Sequence, residues 1–171
     1  MSKKRLIRPA SYEDIQKIIP LAEHLSDNHL KYDPTRFVAP EDIKGVYEYW
    51  VSRAISEGNM LVLIVEYQQE HDDNEIIGYL VAEAIPAQPE YWSTAHVYIH
   101  DVFVRPEERD RSIGISMVEV TKDWAISRNI FQLRGLIAVS NHGAQSFFEN
   151  IGFRKTAIEV NLDIYKMYLN N

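Results

Sequence analysis

Apolar positions along the chain recur with two periods. Residues 6–8 form a short β-type run, and Ser11 with Asp14 three residues later resembles a capping box in which Asp replaces Glu or Gln. That pair predicts the start of a helix carrying Ile15, Ile18, Ile19, Leu21, Ala22 and Leu25 at helical spacing. Residues 26–40 are polar and broken by Pro34 and Pro40, after which Ile43, Val46, Tyr47, Trp50, Val51 and Ala54 restore the helical period over 41–57. Gly58 and Asn59 close that helix. Residues 60–67 and 76–85 read as strands of an antiparallel pair joined by a charged loop containing His71, Asp72 and Asp73. Residues 86–94, with two prolines, Tyr91 and Trp92, predict an exposed connection. A strand at 95–104, a helix at 113–127, a strand at 131–139 and a short helix at 142–150 follow, with Gly152 as the helix terminator. Residues 153–160 and 164–169 predict two closing strands. Antiparallel strands followed by strand–helix–strand–helix–strand make an α+β domain with a mixed sheet.

Composition narrows the function. A chain of 171 residues fits one domain, taken as 1–171, and has no internal repeat or linker. No apolar run approaches the ~18 residues of a membrane span, and the basic start is interrupted by Arg8 and Pro9 before any signal-type core. The expectation is a cytoplasmic protein without a membrane partner. Cysteine is absent, which excludes disulfides, thiolate metal sites and cysteine nucleophiles. The net charge of -7 speaks against a nucleic-acid surface and suits a cationic substrate. His24, His29, His71, His96 and His142 show no metal-ligand spacing, so no metal is expected.

Two motifs carry chemistry. Val104-Arg105-Pro106-Glu107-Glu108-Arg109-Asp110-Arg111-Ser112-Ile113-Gly114 places two arginines and a glycine where a strand turns into a helix. Unpaired N–H groups and the dipole at a helix start favour a pyrophosphate, and a glycine lets backbone come close. The second motif is Asn141-His142-Gly143-Ala144-Gln145-Ser146-Phe147-Phe148-Glu149-Asn150-Ile151-Gly152-Phe153. The pair, in this order and with one strand between, resembles the acetyl-CoA loop and the following helix of the GNAT superfamily of N-acetyltransferases, including its small diamine and aminoglycoside-type members. The opening residues 6–15 resemble that family's usual start, and the resemblance thins over 26–58.

The resemblance implies a mainly antiparallel sheet of six to seven strands flanked by about four helices. It implies acetyl-CoA as cosubstrate, held by Val102, Phe103, Val104, Arg109, Asp110, Arg111, Ser112, Ile113, Gly114, Ile115, Asn141 and Ala144. It also implies direct attack of a small primary amine on the thioester, with a strand N–H from 102–104 holding the oxyanion. Ser112 stands where the family's Arg-x-x-Gly-x-Gly has its first glycine, and Phe148 stands where many members carry a tyrosine proposed as general acid. A register using Arg111 and Gly114 with Ser116 breaks the Pro106 and Arg109 match. An amine of pKa near ~10.4 is mostly protonated at neutral pH, so a base is expected nearby. His100 and Asp101, adjacent on the strand entering the loop, are the candidates. Strict alternation puts them on opposite faces, whereas the β-bulge usual in this family leaves the choice open. Asn141 fits both a helix N-cap and a cofactor contact. Glu23, Tyr32, Asp33 and Trp92 lie in segments that border the acceptor cleft in the family. Two departures, Ser112 and Phe148, keep a non-catalytic acyl-CoA-binding module as an alternative, beside a protein lysine or N-terminal acetyltransferase. Many relatives are dimers through the closing strands, so a homodimer is a candidate assembly.

Overall fold

A computed structural model describes residues 4–68, 74–109 and 112–164. Five strands, β1 (Arg5–Pro9), β2 (Met60–Tyr67), β3 (Glu75–Ile85), β4 (His96–Val104) and β5 (Leu133–Gly135), form one sheet in chain order. The first four pair antiparallel, and β4 with β5 is parallel. Helices α1 (Ile15–Tyr32) and α2 (Ile43–Ser56) precede β2, α3 (Ile113–Ile126) links β4 to β5, and α4 (His142–Asn150) follows.

Every residue of β2 is buried, so both faces of the sheet are covered and the run is apolar apart from Glu66. Its alternate side chains feed two cores. Leu61, Leu63 and Val65 join Val97, Ile99, Ile113, Met117 and Phe148 beneath α3 and α4. Val62 and Ile64 join Ile18, Ile19, Ala22, Val51, Tyr79 and Phe103 beneath α1 and α2. Glu66 is the one charged residue of β2, and burial of its carboxylate requires a partner. Arg8 supplies it, donating from Nε and Nη2 to Glu66 at 3.0 and 2.9 Å and from Nη1 and Nη2 to Asp14 at 2.7 and 2.9 Å. Asp14 also accepts from the Ser11 amide at 2.7 Å, so the capping residue of the sequence pattern doubles as the anchor between β1 and the entry to α1. Burial works against its charge, but the hydrogen bonds from Arg8 and Ser11 hold the Asp14 carboxyl below its ordinary value.

Three sequence expectations change. The helix expected to fade after Leu25 continues through Tyr32 and ends where the Asp33 carboxylate accepts from the Thr35 and Arg36 amides, a polar stop that residue-by-residue hydropathy does not register. The strand expected over 131–139 contracts to Leu133–Gly135, because β4 bulges one residue after Ile99, its last residue paired with β5. The six to seven strands become five among the described residues. Residues 153–160 form no strand: Phe153 packs on the α3/α4 core, whereas Ile158 and Val160 are exposed and have no neighbouring strand among the described residues. Of the strand expected over 164–169, all but Ile164 lies outside the described residues. Among the described residues no helix is long and apolar enough to cross a membrane.

Candidate active site

The site grows out of one irregularity in β4. Ala82 pairs with Ile99 and Val81 with Asp101, so His100 is an extra residue without a partner on β3. Before the bulge, Val97 and Ile99 point into the α3/α4 core; after it, Val102 and Val104 do, and Phe103 points into the α1/α2 core. The insertion therefore turns His100 and Asp101, adjacent in sequence, toward the same α1/α2 layer, which alternation alone forbids.

Their surroundings differ. Asp101 is 8% exposed, and its Oδ2 accepts from the Tyr47 hydroxyl of α2 and the Tyr79 hydroxyl of β3, both at 2.9 Å. Burial pushes the Asp101 carboxyl up, while the two tyrosine hydrogen bonds pull it back. Both phenols are driven upward by burial and by the neighbouring carboxylate, so they remain donors. His29 of α1 feels the same charge; burial lowers its pKa and Asp101 opposes that shift.

His100, by contrast, is exposed. Its Nε2 is 3.0 Å from Glu83 Oε2 on β3, and its ring meets Trp50 of α2 at 5.7 Å and Tyr98 at 5.0 Å. Glu83 Oε1 accepts from Asn59 at 3.3 Å. Sequence reading passed over Glu83, Tyr79 and the site role of Tyr47 and Trp50. The available signal was a lone carboxylate within the otherwise apolar run 76–85.

On the side facing β5, pairing covers only Val97 to Ile99. From His100 to Val104 that edge of β4 has no strand partner among the described residues, while the other edge stays paired through Gly78, Tyr79 and Leu80. Free N–H and C=O groups on an extended strand suit an amide-bearing chain laid alongside. This edge leads into a short 3₁₀ turn at Pro106–Glu108 and then to the start of α3.

At that start Ser112 adopts φ 59° and ψ 12°, the left-handed region. The glycine of the family pattern thus has a geometric reason, and serine meets it at some backbone cost. The Ser112 hydroxyl caps no amide among the described residues; its carbonyl accepts from the Ser116 amide and hydroxyl. Arg109 Nε donates to the Val104 carbonyl at 3.1 Å, and its guanidinium lies over the Phe103 ring. Asp110 and Arg111 lie outside the described residues. A Cβ on Gly114 would meet the Phe147 ring at 3.0 Å, so its missing side chain lets α3 approach α4. Ile113 is buried, Ile115 is exposed, and the Asn141 carbonyl oxygen of the side chain accepts from the Ala144 amide at 3.0 Å as the N-cap of α4.

The remaining candidates are dispersed. Phe148 is 8% exposed, packed edge-on to Phe147 and Phe153 in the α3/α4 core. Asp33 is engaged in its own turn, the Tyr32 carbonyl accepts from Ser140, and Glu23 is exposed. Trp92 is 96% exposed in a left-handed turn at the tip of the 86–94 connection. Among the described residues no cluster of His, Asp or Glu could hold a metal ion.

Comparison with known proteins places this arrangement. A mutant of the BH1408 protein of Bacillus halodurans superposes with a TM-score of 0.74 at 21% identity, covering 92% of this chain and 99% of that one. A predicted acetyltransferase of Clostridium acetobutylicum, solved with acetyl-CoA, gives 0.71 at 16% identity over 95% and 98%. The thialysine N-epsilon-acetyltransferase of Sus scrofa is 24% identical over 99 residues, 48% of this chain and 58% of the pig enzyme, so the match spans little more than half of that relative. The family model for the acetyltransferase (GNAT) family matches residues 21–153, which hold the bulged strand, the α3 loop and the Asn141 helix, and the chain belongs to that family.

Proposed function

We propose that the protein transfers an acetyl group from acetyl-CoA to a small primary amine, and that His100 takes the proton from that amine. The observation carrying this reading is the bulge, which sets a solvent-reachable imidazole on the acceptor face of the strand whose other side offers a free backbone edge. Acetyl-CoA supplies an activated acyl carbon. Val102, Phe103 and Val104 would hold its amide-bearing arm, and Arg109, Ser112 and the first amides of α3 its phosphates, with Gly114 and Asn141 shaping that helix pair. An ammonium of ordinary pKa is free base in less than about one molecule in a thousand at neutral pH, so proton removal is part of the barrier. His100 accepts that proton, the nitrogen bonds to the acyl carbon, the carbon–sulfur bond breaks, and the thiolate leaves without needing an acid at Phe148. Asp101, sealed under two phenols, acts as the foundation of the bulge rather than as the base. The acceptor named for the pig relative, thialysine, is an amine, and the chain's acidic balance favours a cation.

Titration with acetyl-CoA, followed by a panel of polyamines, amino acids, aminoglycosides and peptides monitored for free CoA, tests the reading. Release of CoA with a small amine supports it; saturable acetyl-CoA binding without turnover of any amine replaces it with a binding module. The outer edge of β5 has no strand partner among the described residues, and Ile158, Val160, Leu162 and Ile164 alternate outward, which supports a homodimer closed through this end of the sheet. Sedimentation equilibrium checks that assembly.

A further inference from the structure

We propose that Glu83 is the positioning residue of His100, fixing which ring nitrogen carries the proton; the inference rests on the reading of His100 as the proton acceptor. Glu83 sits opposite Tyr98 in the β3/β4 register, and the bulge brings His100 onto the same face, within reach of the diagonal position. The carboxylate is held at both oxygens, by Asn59 on Oε1 and by His100 on Oε2. The imidazole is held on three sides, by that carboxylate, by Trp50 and by Tyr98. An ionised carboxylate can only accept, so the nitrogen facing it must be the N–H, and the Nδ1 lone pair is left for the amine proton.

The other charged groups around this pair leave the assignment to Glu83. Asp101 lies beside His100 with its Oδ2 committed to Tyr47 and Tyr79. Arg53 lies in the field of Glu83 and is paired with Glu57. Arg36 pairs with Glu159, and both act electrostatically on Tyr98. Among the described residues Glu83 is the carboxylate hydrogen-bonded to His100. A positioning carboxylate of this kind, when buried, is worth up to ~10⁴-fold in kcat. With Glu83 and His100 about one third exposed, a smaller effect follows.

The test combines kinetics with a spectrum. Glu83→Gln should lower kcat by roughly 10-fold to 10²-fold with KM changed less than about threefold, and in a His100→Ala background the same substitution should change kcat by less than about twofold. Long-range ¹H–¹⁵N spectra of the free protein at pH 8 should show His100 as a single Nε2–H tautomer, becoming a mixture in Glu83→Gln and, to a lesser extent, in Asn59→Ala. The spectrum needs no acceptor, so a protein that acetylates no amine defeats the proposed function while the tautomer result still decides the role of Glu83. An unchanged spectrum overturns the inference, as does a loss in kcat that persists without His100. A rise in KM alone overturns it too, by assigning Glu83 to direct capture of the amine.

Discussion

His100 and Asp101 are consecutive residues of one strand, and both side chains enter the same layer of the molecule because the first of them has no partner on β3. One lies open beside Glu83 and the other is closed beneath Tyr47 and Tyr79. Their substitutions should therefore separate. His100→Ala is expected to fold normally and lose roughly 10²-fold to 10⁴-fold in rate at neutral pH, with a smaller loss at high pH, where free amine is abundant. Asp101→Ala strands the buried Tyr79 phenol and the half-buried Tyr47 phenol and should cost about 1–3 kcal/mol per unsatisfied group before any effect on chemistry. Urea denaturation and pH–rate profiles of both variants check this, and a stable Asp101→Ala with a flattened pH profile would transfer the base to Asp101.

Two buried carboxylates should respond to acid with opposite sign. Asp14 is held below its ordinary value in the folded state, so its stabilisation is complete above the unfolded value near ~3.9 and is lost as pH falls through the lower folded one. Asp101 is raised by burial, so its ionisation costs stability above the folded value, and that cost is relieved as pH falls toward the unfolded one. Arg8→Gln leaves Asp14 and Glu66 buried without their cation, at about 2–4 kcal/mol near pH 7. The deficit relative to wild type should shrink between about pH 5 and pH 3, as Asp14 becomes protonated. Denaturant midpoints measured across that range give the comparison.

Ser112 holds a left-handed backbone conformation with a side chain attached. Ser112→Gly removes a strain of roughly 1 kcal/mol while adding freedom to the unfolded chain, so stability should change by less than about 1 kcal/mol. Acetyl-CoA affinity should hold or improve, because the loop is then unstrained in the required shape. Ser112→Val should lose both. Calorimetric titration with acetyl-CoA and thermal melts distinguish these outcomes.

Gly114 faces Phe147 rather than open space. Gly114→Val should weaken acetyl-CoA binding at least tenfold, about 1.4 kcal/mol, by pushing the start of α3 away from α4. Adding Phe147→Ala should restore much of that loss by making room. If the double variant binds as poorly as Gly114→Val, the glycine serves the ligand directly and not the helix packing.

Phe148 lies between Phe147 and Phe153 with little solvent contact. Phe148→Tyr should leave kcat similar or modestly raised, because a thiolate leaves readily, and should cost about 1–3 kcal/mol where the new hydroxyl finds no partner. A wild type that binds acetyl-CoA without turnover, together with a Phe148→Tyr variant that turns over freely, would make the missing acid decisive.

Much of this molecule could be read from local pattern. The bounds of β2 and α4 matched the reading because a mostly apolar, β-branched run and an Asn141 to Gly152 cap pair are local signals. The turn from β4 into α3 was legible from Pro106, Arg109 and Gly114, although the packing role of Gly114 depends on Phe147, which is 33 positions further on in sequence but adjacent in space. The α1/α2 face of the site was less legible. Tyr47 and Trp50 carry helical periodicity, and only the β3/β4 register shows that α2 presents them to His100 and Asp101. Glu83 becomes a candidate only once the bulge sets the face of His100. The closing strand expected over 153–160 failed for the converse reason: its apolar residues are a local signal, but a strand also needs a neighbour, and it has none among the described residues.

The loss of β4/β5 pairing after Ile99 has a consequence for solubility. A free strand edge at the margin of a sheet is a template onto which any extended chain can add, and such edges drive aggregation. Here the free stretch from His100 to Val104 lies within the sheet, with β3 on one side and the departing chain of β5 on the other. Arg109 takes the Val104 carbonyl at its far end, and an extended slender molecule laid along the rest would take the place of a strand. An occupant of that edge would thus guard the sheet against the pairing that free edges invite, so ligand-free protein should aggregate more readily than liganded protein.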